Sequence, residues 1–81
     1  MFQFLPVLHH HILQQVMKNG KLTANKKMLE SQQIPTDRFY KRMEVFIFRE
    51  YRDKGQLYYY CGDCDDDEMP YFIPAEWVII K

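Results

Sequence analysis

The residues of this chain best equipped for chemistry are its two thiols, which stand as Cys61-Gly62-Asp63-Cys64 at the head of an acidic run. A CxxC pair has the spacing of half a zinc site or of a dithiol redox couple. Zinc needs two further ligands, and neither a second CxxC nor an H-x-x-x-H is present. Closure would fall to His9, His10 or His11, to a carboxylate, or to a second chain. Three consecutive histidines on a helix point about 100° apart and cannot meet on one ion. A thioredoxin-like dithiol sits at a strand-to-helix junction, whereas this pair opens an acidic loop. Two free thiols are the expectation, with Cys61 and Cys64 the candidates for any metal and no cofactor assigned.

The acidic run itself, Asp63, Asp65, Asp66, Asp67 and Glu68, lacks the twelve-residue spacing, central glycine and terminal Glu of a calcium loop, so a solvated turn is expected. The chain holds no glycine-rich phosphate loop and no nucleophile elbow, and no pair of spaced carboxylates in an apolar cleft is indicated. These patterns predict a protein that is not an enzyme.

A second constellation is basic: Arg38, Lys41, Arg42, Arg49 and Arg52. Wound at 100° per residue, residues 35–55 place these five on one arc and Phe39, Tyr40, Met43, Phe46, Ile47 and Tyr51 on the opposite one, with Val45 and Phe48 within or beside the basic face. As a strand, the same stretch sorts nothing, because Val45 and Ile47 share a side with Arg49 and Tyr51. The pattern predicts a helix over 36–54, started by Thr36 and Asp37 and stopped by Lys54 and Gly55. Phe46 is then expected in the core and Phe48 near solvent.

Other elements must position this face. Leu5, Leu8, Ile12, Leu13, Val16 and Met17 predict a first helix over 5–18, ended by Asn19-Gly20, with His9 on its apolar side and satisfied locally. Thr23 is a candidate N-cap for a short helix over 24–33, which Ile34-Pro35 breaks. Residues 56–61, QLYYYC, predict a strand, and 70–80 a second one interrupted at Pro74. The two strands would form a hairpin with the acidic loop at its tip, completing a single α+β domain over 1–81.

Three helices followed by a hairpin resemble the winged-helix family, on ILQQVMKNGKLT, ANKKMLESQQIPTDRFYKRM and GQLYYY. The resemblance implies a third helix in the DNA major groove, led by Arg38, Lys41 and Arg42, and a wing on the backbone. The acidic tip departs from that pattern, since phosphates repel it.

Composition sets outer limits. A chain of 81 residues buries roughly 60% of its unfolded surface, so its core must be dense, and six Phe, six Tyr and one Trp supply one. MFQFLPVLHHHIL has no basic leader and is broken by proline and histidines, and no apolar run approaches a membrane span, so a cytoplasmic protein with no membrane partner is expected. Two cysteines fit a reducing compartment. The formal charge of zero hides ten Lys and Arg against five Asp and Glu in residues 1–54, and one against six thereafter.

Two functions follow as expectations. One is a small regulator of transcription that binds duplex DNA through the basic helical face. The other is a protein-binding module, an inhibitor or adaptor of the kind mobile elements encode, using the same face and the acidic loop. An exposed edge at Trp77 to Ile80 makes a homodimer conceivable.

Overall fold

A computed structural model describes residues 15–81. The histidines and the first predicted helix lie outside them, except for residues 15–18, where no helix forms and Lys18 opens a strand. The elements run β1 (Lys18–Leu22), α1 (Lys26–Ser31), β2 (Glu44–Asp53), β3 (Gln56–Gly62), β4 (Tyr71–Pro74), a 3-10 turn (Ala75–Trp77) and β5 (Val78–Ile80). The strands form one antiparallel sheet in the order β4-β3-β2-β1-β5. The winged-helix arrangement is therefore overturned: α1 is the one α-helix among the described residues, and the stretch expected as a basic recognition helix is mostly the longest strand.

The cause is local. Val45, Phe46, Ile47, Phe48 and Tyr51 are β-branched or aromatic, types that favour a pleated surface. A bulge hides their alternation. Ile47 pairs with Cys61, but Arg49 pairs with Tyr60, so Phe48 is an extra residue and the side-chain phase flips across it. Before the bulge Val45 and Ile47 face the core; after it Arg49 and Tyr51 face out, on the side of Tyr58 and Tyr60. Lys54 and Gly55, read as a helix stop, both have positive φ (51° and 83°) and form the two-residue turn between β2 and β3. Two left-handed residues in succession are what a twisted hairpin requires.

The sheet cannot be flat. Its outermost strands β4 and β5 would then lie four spacings apart, roughly 19 Å, whereas three residues wound at about 2 Å each span well under half of that. Ala75–Trp77 makes the crossing, packs on β3, and so rolls the sheet around its inner face. Inside lie Leu22, Val45, Ile47, Tyr59, Cys61, Ile73 and Val78, closed at the open end by Ala24, Leu29, Ile34, Phe39 and Met43. Of the residues expected on an apolar helical arc, Phe39, Met43 and Ile47 are buried, while Tyr40 and Tyr51 are 61% and 48% exposed. Val45 and Phe48, expected in or near the basic face, are buried.

The short helix lies within the predicted 24–33 but starts from a different cap. Asn25, not Thr23, accepts from the Met28 N–H at 2.9 Å, and Thr23 instead donates to the Trp77 carbonyl at 3.0 Å, tying the helix entry to the 3-10 turn. At the other end Gln33 N–H donates to Glu30 and Ile34 N–H to Leu29, with Gln33 at φ 60°. This is a Schellman stop carried by a non-glycine residue, with Ile34 and Leu29 both buried beside it.

Gln33 and Lys54 thus hold left-handed backbone that costs an ordinary side chain about 1 kcal/mol. Gln33→Gly and Lys54→Asn are each expected to raise stability by about 0.5–1 kcal/mol, additively, in urea denaturation. A loss at either site would contradict the assigned cap or turn.

Candidate functional site

The predicted basic residues do not share a face. Arg38 is half-buried and held within the protein: its Nε donates to Asp63 at 3.0 Å, Nη2 to Asp67, and Nη1 to the Met69 carbonyl at 3.1 Å. Asp67 is 8% exposed and also accepts from the N–H groups of Asp63 at 3.0 Å and Met69 at 2.8 Å. The guanidinium lies 5.2 Å from the Phe39 ring and 5.5 Å from that of Tyr71. One arginine therefore pins the acidic loop to the turn after α1, 25 to 31 residues away in sequence. Asp63 and Asp67 are structural members of that clamp, which corrects their reading as solvated turn residues and that of Arg38 as a contact residue. Asp65, Asp66 and Glu68 are exposed.

Gly62 shows how closely the loop is folded down. A Cβ there would meet the Phe48 ring at 2.8 Å and the Asp67 Cβ at 2.5 Å. Only glycine lets the bulged phenylalanine and the buried aspartate converge on the end of β3.

Both thiols are held in the protonated form. Burial pushes Cys61 up to about 12, and its Sγ rests 3.5 Å from the Tyr59 carbonyl. A hydrogen bond to Asp66, with Sγ to Oδ1 at 3.2 Å, raises Cys64 to about 11. A redox dithiol needs the opposite, a stabilised thiolate. Among the described residues, no three His, Cys, Asp or Glu side chains converge so as to hold an ion.

What the fold does assemble is a surface. On the outer face of β2, β3 and β4, Phe72 packs against Tyr60 (ring centroids 4.6 Å apart) and Tyr51 (5.1 Å). The Arg49 guanidinium lies over Tyr60 at 4.9 Å and Phe72 at 5.8 Å. Phe72 is 39% exposed, and among the described residues Arg49 forms no ion pair. Arg52 faces the other way, paired across the hairpin with Leu57. Lys41 and Arg42 lie in the exposed turn before β2, with Arg42 at φ 79°. Lys18 bridges to Glu50 at 2.7 Å on the inner side, steadying the projecting hairpin.

Tyr51, Tyr60 and Phe72 were missed as site residues. Their signal was there in the odd placement of so many rings on a strand pair already rich enough to fill the core, but the Arg49 and Tyr51 phase depends on a bulge with no sequence mark.

The clamp yields two expectations and the thiols a third. Arg38→Ala strands the buried Asp67 carboxylate and is expected to cost about 3 kcal/mol, whereas Arg52→Ala changes stability by less than about 0.5 kcal/mol, both by urea midpoint. Because Arg38 holds the Asp63 carboxyl below its ordinary range, its contribution is full above the unfolded value near 4 and fades as pH falls through the folded one. The gap between wild type and Asp63→Asn should close on acidification below about pH 4. For the thiols, alkylation of native Cys64 at neutral pH is expected to be well over tenfold slower than that of free cysteine, and Asp66→Asn should accelerate it. Equal rates would refute the hydrogen bond as the cause.

Compared with known proteins, the chain matches no family model, no curated protein and no solved structure.

Proposed function

We propose that this chain is a non-catalytic binding module that holds a protein partner on the outer face of β2–β3–β4, with Arg49 as its charged anchor. The observation that carries this reading is the Tyr51–Phe72–Tyr60 cluster, with Tyr51 and Phe72 exposed, and beside it a guanidinium that forms no ion pair among the described residues. Aromatic residues and arginine are the types enriched at protein interfaces and at their energetic centres. Contact with two rings restrains the guanidinium before binding, so less side-chain freedom is lost when its N–H fork meets a carboxylate. The partner is accordingly a protein segment with an Asp or Glu beside apolar side chains.

Duplex DNA is the weaker reading on the same page. The recognition helix it required does not form, Arg38 is neutralised by Asp63 and Asp67, and the formal charge is zero, which leaves little of the phosphate-driven affinity on which such binding rests. The rings are also poor platforms for unstacked bases, because Arg49 already covers Tyr60 and Phe72.

The test is selection of displayed peptides on the wild-type protein, counter-selected on Arg49→Ala with Phe72→Ala. Enriched peptides are expected to pair Asp or Glu with Leu, Phe or Trp and to lose about tenfold or more in affinity to Arg49→Lys, which keeps the charge but not the fork. Peptides without acidic residues, or random duplex or single-stranded DNA bound at about 150 mM salt with affinity lost on Arg49→Ala, would overturn the reading.

A further inference from the structure

Strand β4 stands at one end of the sheet and pairs with β3 alone, so its other edge has no strand beside it among the described residues. The register says which backbone groups lie along that edge. Asp53 and Gln56 flank the two-residue Lys54-Gly55 turn and are a hydrogen-bonded pair. Such pairs alternate along an antiparallel ladder, so Tyr51 with Tyr58 and Arg49 with Tyr60 are hydrogen-bonded too. Tyr58 and Tyr60 thus direct their N–H and C=O groups to β2, while Tyr59 and Cys61 direct theirs to Ile73 and Tyr71 of β4. Phe72 and Pro74 are left aiming at the open edge. Of the alternate residues Pro70, Phe72 and Pro74, only Phe72 has an N–H, and among the described residues no backbone group outside the ladder bonds to it. The same register lines up Arg49, Tyr60 and Phe72 in one row across the outer face, and a residue paired with Phe72 would stand fourth in it.

We propose that the acidic partner segment binds as a sixth strand, antiparallel to β4, with one glutamate that exchanges two backbone hydrogen bonds with Phe72 and turns its carboxylate toward Arg49. This rests on the reading of Arg49 as the charged anchor and adds how the partner is held. Main-chain bonds supply the grip in such an addition, and alternate side chains supply the choice of partner. The antiparallel direction is the one in which a single residue exchanges both bonds with Phe72. Prolines on either side allow that exchange at Phe72 only, which fixes the register and denies the edge to long aggregating strands. The guanidinium lies 4.9 Å from the Tyr60 ring and 5.8 Å from that of Phe72, and a neighbouring strand adds a further spacing of about 4.8 Å. The carboxylate must therefore reach back over Phe72, which favours the longer stem of Glu over that of Asp. A second copy of the chain fits less well, because β4 laid on β4 brings Phe72 to Phe72 and no carboxylate to Arg49.

The probe is the blocked peptide acetyl-Leu-Thr-Glu-Thr-Leu-amide, which as a strand sets Glu between two Leu on one face; backbone amide resonances of the full chain follow its addition. Saturable shifts centred on Phe72 are expected at about millimolar concentration. N-methylation of the Glu nitrogen should weaken binding about tenfold or more, and N-methylation of either Thr should change it by less than about twofold. Replacing the peptide's Glu by Asp or Gln should weaken binding about threefold or more, and the difference between Glu and Gln should vanish on Arg49→Ala. Binding that follows Arg49 and the Glu carboxylate but ignores N-methylation at Glu would overturn strand addition while leaving the partner reading intact. Strand addition also fails if no saturable shift appears up to about 10 mM, or if Phe72 shifts with protein concentration alone, which would give the edge to a second copy. The displayed-peptide selection judges the partner reading separately in either case.

Discussion

Three residues, Ala75–Trp77, carry the chain from one edge of the sheet to the other, and the remaining architecture answers to that constraint. A link so short is compatible only with a rolled sheet. Rolling requires a strand that can bend, and β2 bends at the Phe48 bulge, where pairing with β1 gives way to the projecting hairpin with β3. The bulge in turn turns Phe48 toward Gly62, where the missing side chain admits both that ring and Asp67. Arg38 then closes the assembly from the far side by gripping Asp63 and Asp67.

This chain of dependence divides the charges into those the fold consumes and those it leaves available. Arg38, Asp63 and Asp67 are spent within the structure; Lys18 with Glu50 and Lys81 with Glu44 are exposed pairs of small individual worth. Arg49 remains, placed by the bulge beside the Tyr60 and Phe72 rings. Charge that looked like one basic stripe along a helix is dispersed on a sheet protein: Arg38 lies in the clamp, Arg49 on the outer face, Arg52 on the opposite one, and Lys41 and Arg42 in the turn before β2.

Part of the second half was legible from its residues, although 70–80, read as one interrupted strand, is β4 and β5 on opposite edges of the sheet. QLYYYC has strand composition, Pro74 confines its strand to an edge, and the acidic loop joins β3 to β4. The short helix does form within the expected 24–33, but it ends at Ser31 on a left-handed Gln33 cap rather than at Ile34-Pro35. The failure at 36–54 has two physical roots. A period of two is broken by one inserted residue, after which helical winding sorts the residues better than the true strand does. The left-handed Lys54-Gly55 pair serves a helix stop and a hairpin turn equally well, so the local signal carried no vote. Arg38 could not be placed for a different reason: its partners are 25 and 29 residues distant, and only tertiary structure decides whether an arginine meets a phosphate or an internal aspartate.

Nuclear Overhauser contacts along the β2–β3 hairpin test the bulged strand most directly, since both the roll of the sheet and the Arg49 surface depend on it. Cross-strand contacts are expected between Arg49 and Tyr60 and between Tyr51 and Tyr58, with ring contacts from Phe72 to both Tyr51 and Tyr60. Pairing of Arg49 with Tyr59 would mean an unbulged strand that sends Arg49 inward, and a run of contacts three residues apart through 44–53 would mean a helix; either result contradicts the account.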